Sequence, residues 1–141
     1  MNNNDFIRKS EKIKNFFLSI PSINDRYTAL IEIGRKLPAP PLHLKIAENL
    51  VEGCQSRLYL SSSLIDRRIY FEATADAFIS LGLAALLITA YNGETCETVL
   101  KEPPVFLTEI GIHAALSPGR SNGLSNIHLR MKKDALKFLH T

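Results

Sequence analysis

Two cysteines, four histidines and one arginine in a Pro- and Gly-rich stretch are the residues with the most chemistry to offer in this chain. Cys54 stands in Glu52-Gly53-Cys54-Gln55-Ser56. The glycine permits a tight turn or a close backbone approach, and Gln55 and Ser56 add polar side chains, so the thiol is expected on a turn between two extended segments. The thiolate is the reactive form, and it needs nearby positive charge or amide donors to lower its pKa. Arg57 is close in sequence, but strand alternation aims it to the other side. Taken alone, Cys54 reads first as one of the many free cysteines that simply pack. Cys96, in Glu94-Thr95-Cys96-Glu97-Thr98, has flanking carboxylates that disfavour a thiolate. It reads as a small, half-buried residue of a short helix. A Cys54–Cys96 disulfide is left open, with nothing in the sequence to support it.

The histidines, His43, His113, His128 and His140, are scattered and give none of the close spacings of a zinc site, so no metal is expected. His128 lies beside an apolar stripe and reads as a partly covered helix residue. There is no catalytic triad signature, no Gly-x-Gly-x-x-Gly and no phosphate loop. Arg120 lies in Ser117-Pro118-Gly119-Arg120-Ser121-Asn122-Gly123. That stretch reads first as a loop and helix start capped by Ser121 or Asn122. The other reading is a guanidinium that binds an anion or steadies a thiolate. Asp76 reads as the N-cap of the helix that follows it.

The elements that must position these groups follow from pattern. A length of 141 residues suggests one domain, 1–141, able to bury a core without staples. A helix is expected from Asp5 to Leu18, with Ile7, Ile13, Phe16 and Phe17 near one face. A second runs from Asp25 to Leu37 behind Ser22 or Asn24 as cap. Pro38, Pro40 and Pro41 then force an irregular segment. Asn49 to Glu52, Arg57 to Ser61 and Ile69 to Thr74 read as strands, with Ser62 to Arg68 as a hairpin loop. Asp76 to Tyr91 is apolar nearly all round and marks a buried helix stopped by Asn92-Gly93. Short helical pieces near Thr95 to Leu100 and within Val105 to Leu116 precede a last helix, Ser121 to Phe138. The expected fold class is α+β, a small antiparallel sheet of about three strands packed against several helices.

The bulk properties exclude several classes. The net charge of +3 is mildly basic, suited to an acidic partner surface but too small to argue for nucleic acid. The longest uncharged run, Ala77 to Gly93, is shorter than the roughly 20 residues that span a bilayer, so no membrane segment is expected. Met1 to Asp5 is polar and carries no signal or lipidation motif, which with two cysteines points to a reducing, cytoplasmic setting.

Four ordered blocks bring a family into view: Tyr27 through Pro38, with Leu30-Ile31-Glu32-Ile33-Gly34; Gly53-Cys54-Gln55-Ser56; Ala75-Asp76-Ala77 with Gly82-Leu83; and Leu116-Ser117-Pro118 with Arg120-Ser121 and Asn122-Gly123-Leu124. In order and spacing they resemble the SufE family of cysteine desulfuration proteins, from about Tyr27 to Leu124. The chain keeps the family's Val at Val51. It carries Tyr59 where the family usually has an aromatic, often Trp, and departs before Asp76, where one acidic residue of the family's Asp-Ser-Asp-Ala is missing.

The resemblance implies a SufE/IscU-like fold and a sulfur relay. Cys54 would take persulfide sulfur from a pyridoxal-phosphate cysteine desulfurase of the SufS type, stimulate that enzyme, and pass the sulfur to a SufBCD-like iron–sulfur scaffold complex. Supporting roles fall to Arg120 and Asp76, and partner contacts to Gly53, Gln55 and Ser56. No cofactor is implied, since sulfur is activated on the desulfurase, and the carrier is expected as a monomer or homodimer. The competing reading is a cluster scaffold of related fold. A scaffold usually needs about three cysteines or comparable ligands per cluster, and this chain offers two.

Overall fold

Alternation in Leu58-Tyr59-Leu60 and β-forming bulk in Ile69-Tyr70-Phe71 build an antiparallel hairpin of β1 (Leu58–Ile65) and β2 (Arg68–Ala75). A computed structural model of the chain describes residues 4–38 and 40–140. Met1–Asn3, part of the polar start, lie outside the described residues. The register pairs Leu58 with Ala75, Leu60 with Ala73 and Ser62 with Phe71. One face therefore carries Leu58, Leu60, Phe71 and Ile69 into the core, all buried. The strands run further than alternation alone predicts. Ser62 to Ile65 are paired rather than looped, and the connection is the two-residue turn Asp66-Arg67. Both turn residues have positive φ, 52° and 67°, the sense that matches hairpin twist.

The expected strand at Asn49 to Glu52 does not form. Ala47–Asn49 is a single 3-10 turn, and a turn follows at Glu52-Gly53. Only a bridge between Leu50 and Tyr59 and the bond from Val51 N–H to the Leu58 carbonyl (2.9 Å) remain. The sheet thus has two strands among the described residues.

Among the described residues six α-helices accompany it: α1 (Asn4–Leu18), α2 (Ile23–Arg35), α3 (Phe78–Tyr91), α4 (Cys96–Lys101), α5 (Val105–Glu109) and α6 (Pro118–Leu139). On α1 the buried stripe is Phe6, Ile13 and Phe17, spaced i, i+7, i+11. Ile7 and Phe16, expected inside, are 49% and 52% exposed. Ser22 caps α2 by accepting from Asp25 N–H. Helix α3 is buried on most sides, and α2 crosses it where Gly34 meets Phe78 and Gly82 meets Leu30, with no room for a Cβ at either glycine. Ser117 caps α6 and Pro118 sits in its first turn, so that helix begins earlier than expected.

Tyr91 and His128 form a stacked pair, with ring centroids 5.6 Å apart. Tyr91 donates its hydroxyl to the Glu102 carbonyl at 2.5 Å. Burial, helped by Lys132, pushes the His128 imidazole down from 6.5 to about 4. A depressed histidine binds its proton more weakly folded than unfolded. Its contribution is therefore complete above about pH 6.5 and is lost as pH falls toward 4. His128 is partly exposed, so screening trims this to roughly 1–2 kcal/mol. The urea midpoint of the native protein should fall over that window, and His128→Gln should flatten that part of the profile.

Candidate functional site

Cys54 lies on the loop between the Glu52-Gly53 turn and β1. Gly53 takes φ 79°, a left-handed turn that glycine adopts without strain. The turn lays the loop along one ridge of α6. Asn126 Nδ2–H donates to the Gly53 carbonyl at 3.0 Å. The Cys54 thiol faces the Gly123 carbonyl at 3.8 Å. Ser117 donates its hydroxyl to Gln55 Oε1 at 3.2 Å, and Arg120 Nη1–H donates to Ser56 Oγ at 2.9 Å. Positions 117, 120, 123 and 126 recur every three residues, so one helical ridge holds four successive loop residues. A Cβ at Gly123 would meet Cys54 Sγ at 3.7 Å, an ordinary contact, whereas one at Gly119 would come within 2.7 Å of Gln55 Oε1.

Beside the thiol is a niche of about 10 Å³ lined by Leu83, Leu124 and Ile127 together with Ser80 and Arg120. It has room for about one water-sized atom. Cys54 is half-buried. Burial pushes its thiol up, and the Arg120 guanidinium beside it pulls the other way. Arg120 stands in the first turn of α6, not in a loop. Besides Ser56, its Nη1 donates to Ser80 Oγ, and the two serine oxygens lie 2.5 Å apart. The structure thus gathers Gly53, Cys54, Gln55, Ser56 and Arg120 into one constellation.

Asp76 stands apart from it. It is exposed at the junction of β2 and α3, with its backbone N–H donating to the Arg57 carbonyl at 3.1 Å. It does not cap α3. The N-cap is Ala77, without a side-chain bond, so the capping role expected of Asp76 is corrected. Cys96 is 3% exposed on α4, and burial, then Glu97, pushes its thiol up. Both cysteines are free thiols. No group of three or more His, Cys, Asp or Glu among the described residues could hold a metal ion. No helix among them is long and apolar enough to cross a membrane.

Ser80 and Asn126 were missed in the sequence. Ser80 carried a readable signal: it is the lone hydroxyl in Phe78-Ile79-Ser80-Leu81, and a buried hydroxyl needs a partner. Asn126 had none, because its role depends on the α6 ridge, which starts earlier than the sequence suggests.

Residues 11–135 match the family described as SufE, Fe-S metabolism associated domain. An uncharacterized SufE-like protein of Synechocystis is 36% identical over 113 residues, 80% of this chain and 71% of that protein. The sulfur acceptor protein CsdE of Escherichia coli is 33% identical, covering 82% of this chain and 80% of that one. The cysteine desulfuration protein SufE of Plasmodium vivax is 33% identical over 88% of this chain, which spans 51% of that protein. Among solved structures, a hypothetical protein from Thermus thermophilus superposes with a TM-score of 0.77 at 26% identity, covering 94% of this chain and 97% of that one.

Proposed function

The chain belongs to the SufE family, and from that premise we propose that Cys54 carries sulfur as a persulfide. The observation that carries this reading is a half-buried thiol next to an atom-sized apolar niche with a guanidinium beside it. A persulfide is consumed by water, thiols and oxidants, so a carrier must shield it when alone and present it when docked. The loop that bears Cys54 is tied to α6 by side-chain bonds, which a docking surface can replace.

The transfer is a thiol–disulfide type exchange. The Cys54 thiolate attacks the terminal sulfur of a donor persulfide. The donor's S–S bond breaks, an S–S bond forms on Cys54, and the donor cysteine leaves as a thiolate. The proton lost by Cys54 balances the one the departing thiolate takes up, and no outside oxidant or reductant is needed. The donor is a pyridoxal-phosphate cysteine desulfurase, which this chain would stimulate by clearing its sulfur. The acceptor is an iron–sulfur scaffold complex. Exposed Asp76, whose carboxylate has no hydrogen bond or ion pair among the described residues, is a docking residue in this scheme.

Arg120 supplies the test within the site. Arg120→Ala should lower sulfur transfer about tenfold, the scale of one lost charge-assisted hydrogen bond, with a smaller effect on the melting curve. Arg120→Lys should restore only part, because an ammonium lacks the planar fork. Desulfurase stimulation measured beside melting curves decides. Full activity in Arg120→Ala, or activity lost only through unfolding, would leave the arginine a structural residue.

A further inference from the structure

Helix α3 is otherwise apolar around Ser80, and Ser80 is 6% exposed. A buried helical hydroxyl commonly turns back to the carbonyl four residues earlier, as Thr89 does on this same helix, donating to Ala85 at 2.7 Å. Ser80 bonds instead to Arg120 Nη1–H and to Ser56 Oγ. Three elements therefore meet at its hydroxyl: α3 through Ser80, α6 through Arg120, and the cysteine loop through Ser56. Ser56 moves with the loop and cannot by itself fix the guanidinium. Ser80 sits on a helix packed into the core and can.

We infer that Ser80 is a positioning residue for the sulfur step: its hydroxyl seats the Arg120 guanidinium on α3 and, through Ser56, latches the Cys54 loop closed. The inference rests on the sulfur-carrier reading of Cys54. Undocked, the latch keeps the cysteine against its niche. Docking that draws Ser56 outward frees the loop, while Ser80 still holds the cation at the base of the site. Ser80 touches neither the thiol nor sulfur and acts through Arg120 and Ser56.

The test is the rate of iodoacetamide alkylation of Cys54 in the full chain, read on the Cys54 peptide by mass spectrometry across pH. In the high-pH limit every thiol is ionised, and the rate reports access alone. Ser80→Ala should raise that limit about tenfold, the factor carried by one lost hydrogen bond to a charged group. Ser80→Thr, which keeps the hydroxyl, should stay near the native rate. An unchanged limit in folded Ser80→Ala overturns the latch. So does a Ser80→Thr variant as fast as Ser80→Ala, which would mean that volume rather than the hydroxyl matters. If Ser80→Ala does not fold, Ser56→Ala removes the same bridge from the loop side and must show the same rise. Iodoacetamide needs neither a desulfurase nor sulfur. A native protein that takes no sulfur from a desulfurase overturns the proposed function, while the alkylation rates decide the latch separately.

Discussion

Cys54→Ser should accept no sulfur from a cysteine desulfurase and should melt close to the native protein. Serine is nearly isosteric, and a hydroxyl at this half-exposed position can still face the Gly123 carbonyl that the thiol now faces. The stability change should be about 1 kcal/mol or less. The chemistry is lost completely, because an oxygen cannot hold sulfane sulfur by exchange. Cys96→Ser is the control: Cys96 is buried in the core with its thiol pushed up, so this variant should keep most sulfur acceptance in whatever fraction folds. The measurement is transferred sulfur per folded chain. Equal loss in both variants would replace a single carrier with a two-cysteine relay.

The largest stability effect is expected at Gly82. A methyl there would overlap the Leu30 carbonyl oxygen, and one at Gly34 would overlap the Phe78 carbonyl oxygen. Both obstacles are backbone, so neither can rotate away as a flexible side chain would. Helices α2 and α3 would have to separate and part their packed faces. Gly82→Ala should cost about 3 kcal/mol, toward the upper part of what overpacking carries, despite the better helix propensity of alanine. The urea midpoint should fall with its slope unchanged. A midpoint equal to the native one would mean that the two helices do not cross this closely.

Much of this was legible where a pattern has a single physical meaning. The α3 run admits little but a buried helix. Leu58 and Leu60 set the inner face of β1, and of the two caps open for α2, Ser22 and Asn24, the fold uses Ser22. Reading failed where local signals were weak or ambiguous. Asp66-Arg67 closes the hairpin without the Asn-Gly that usually marks such a turn, so Ser62 to Ile65 read as loop. Asn49 to Glu52 had strand-like residues, but turns on both sides leave it one bridge. Ser117 competes with Ser121 and Asn122 for the cap of α6. Choosing the later ones put Arg120 in a loop and hid the ridge that holds Cys54. The family blocks pointed to Cys54 and Arg120, yet only the fold showed that Ser80 of α3 and Ser56 of the cysteine loop both bond that arginine.

The central claim is that sulfur resides on Cys54, and intact-mass spectrometry under non-reducing conditions tests it most directly. The native chain is mixed with a SufS-type desulfurase and cysteine, then weighed and mapped by peptide. The account predicts a mass gain of one sulfur atom, located on the Cys54 peptide, reversed by reductant and missing in Cys54→Ser. A chain that gains no sulfur, or gains it on Cys96, would contradict it.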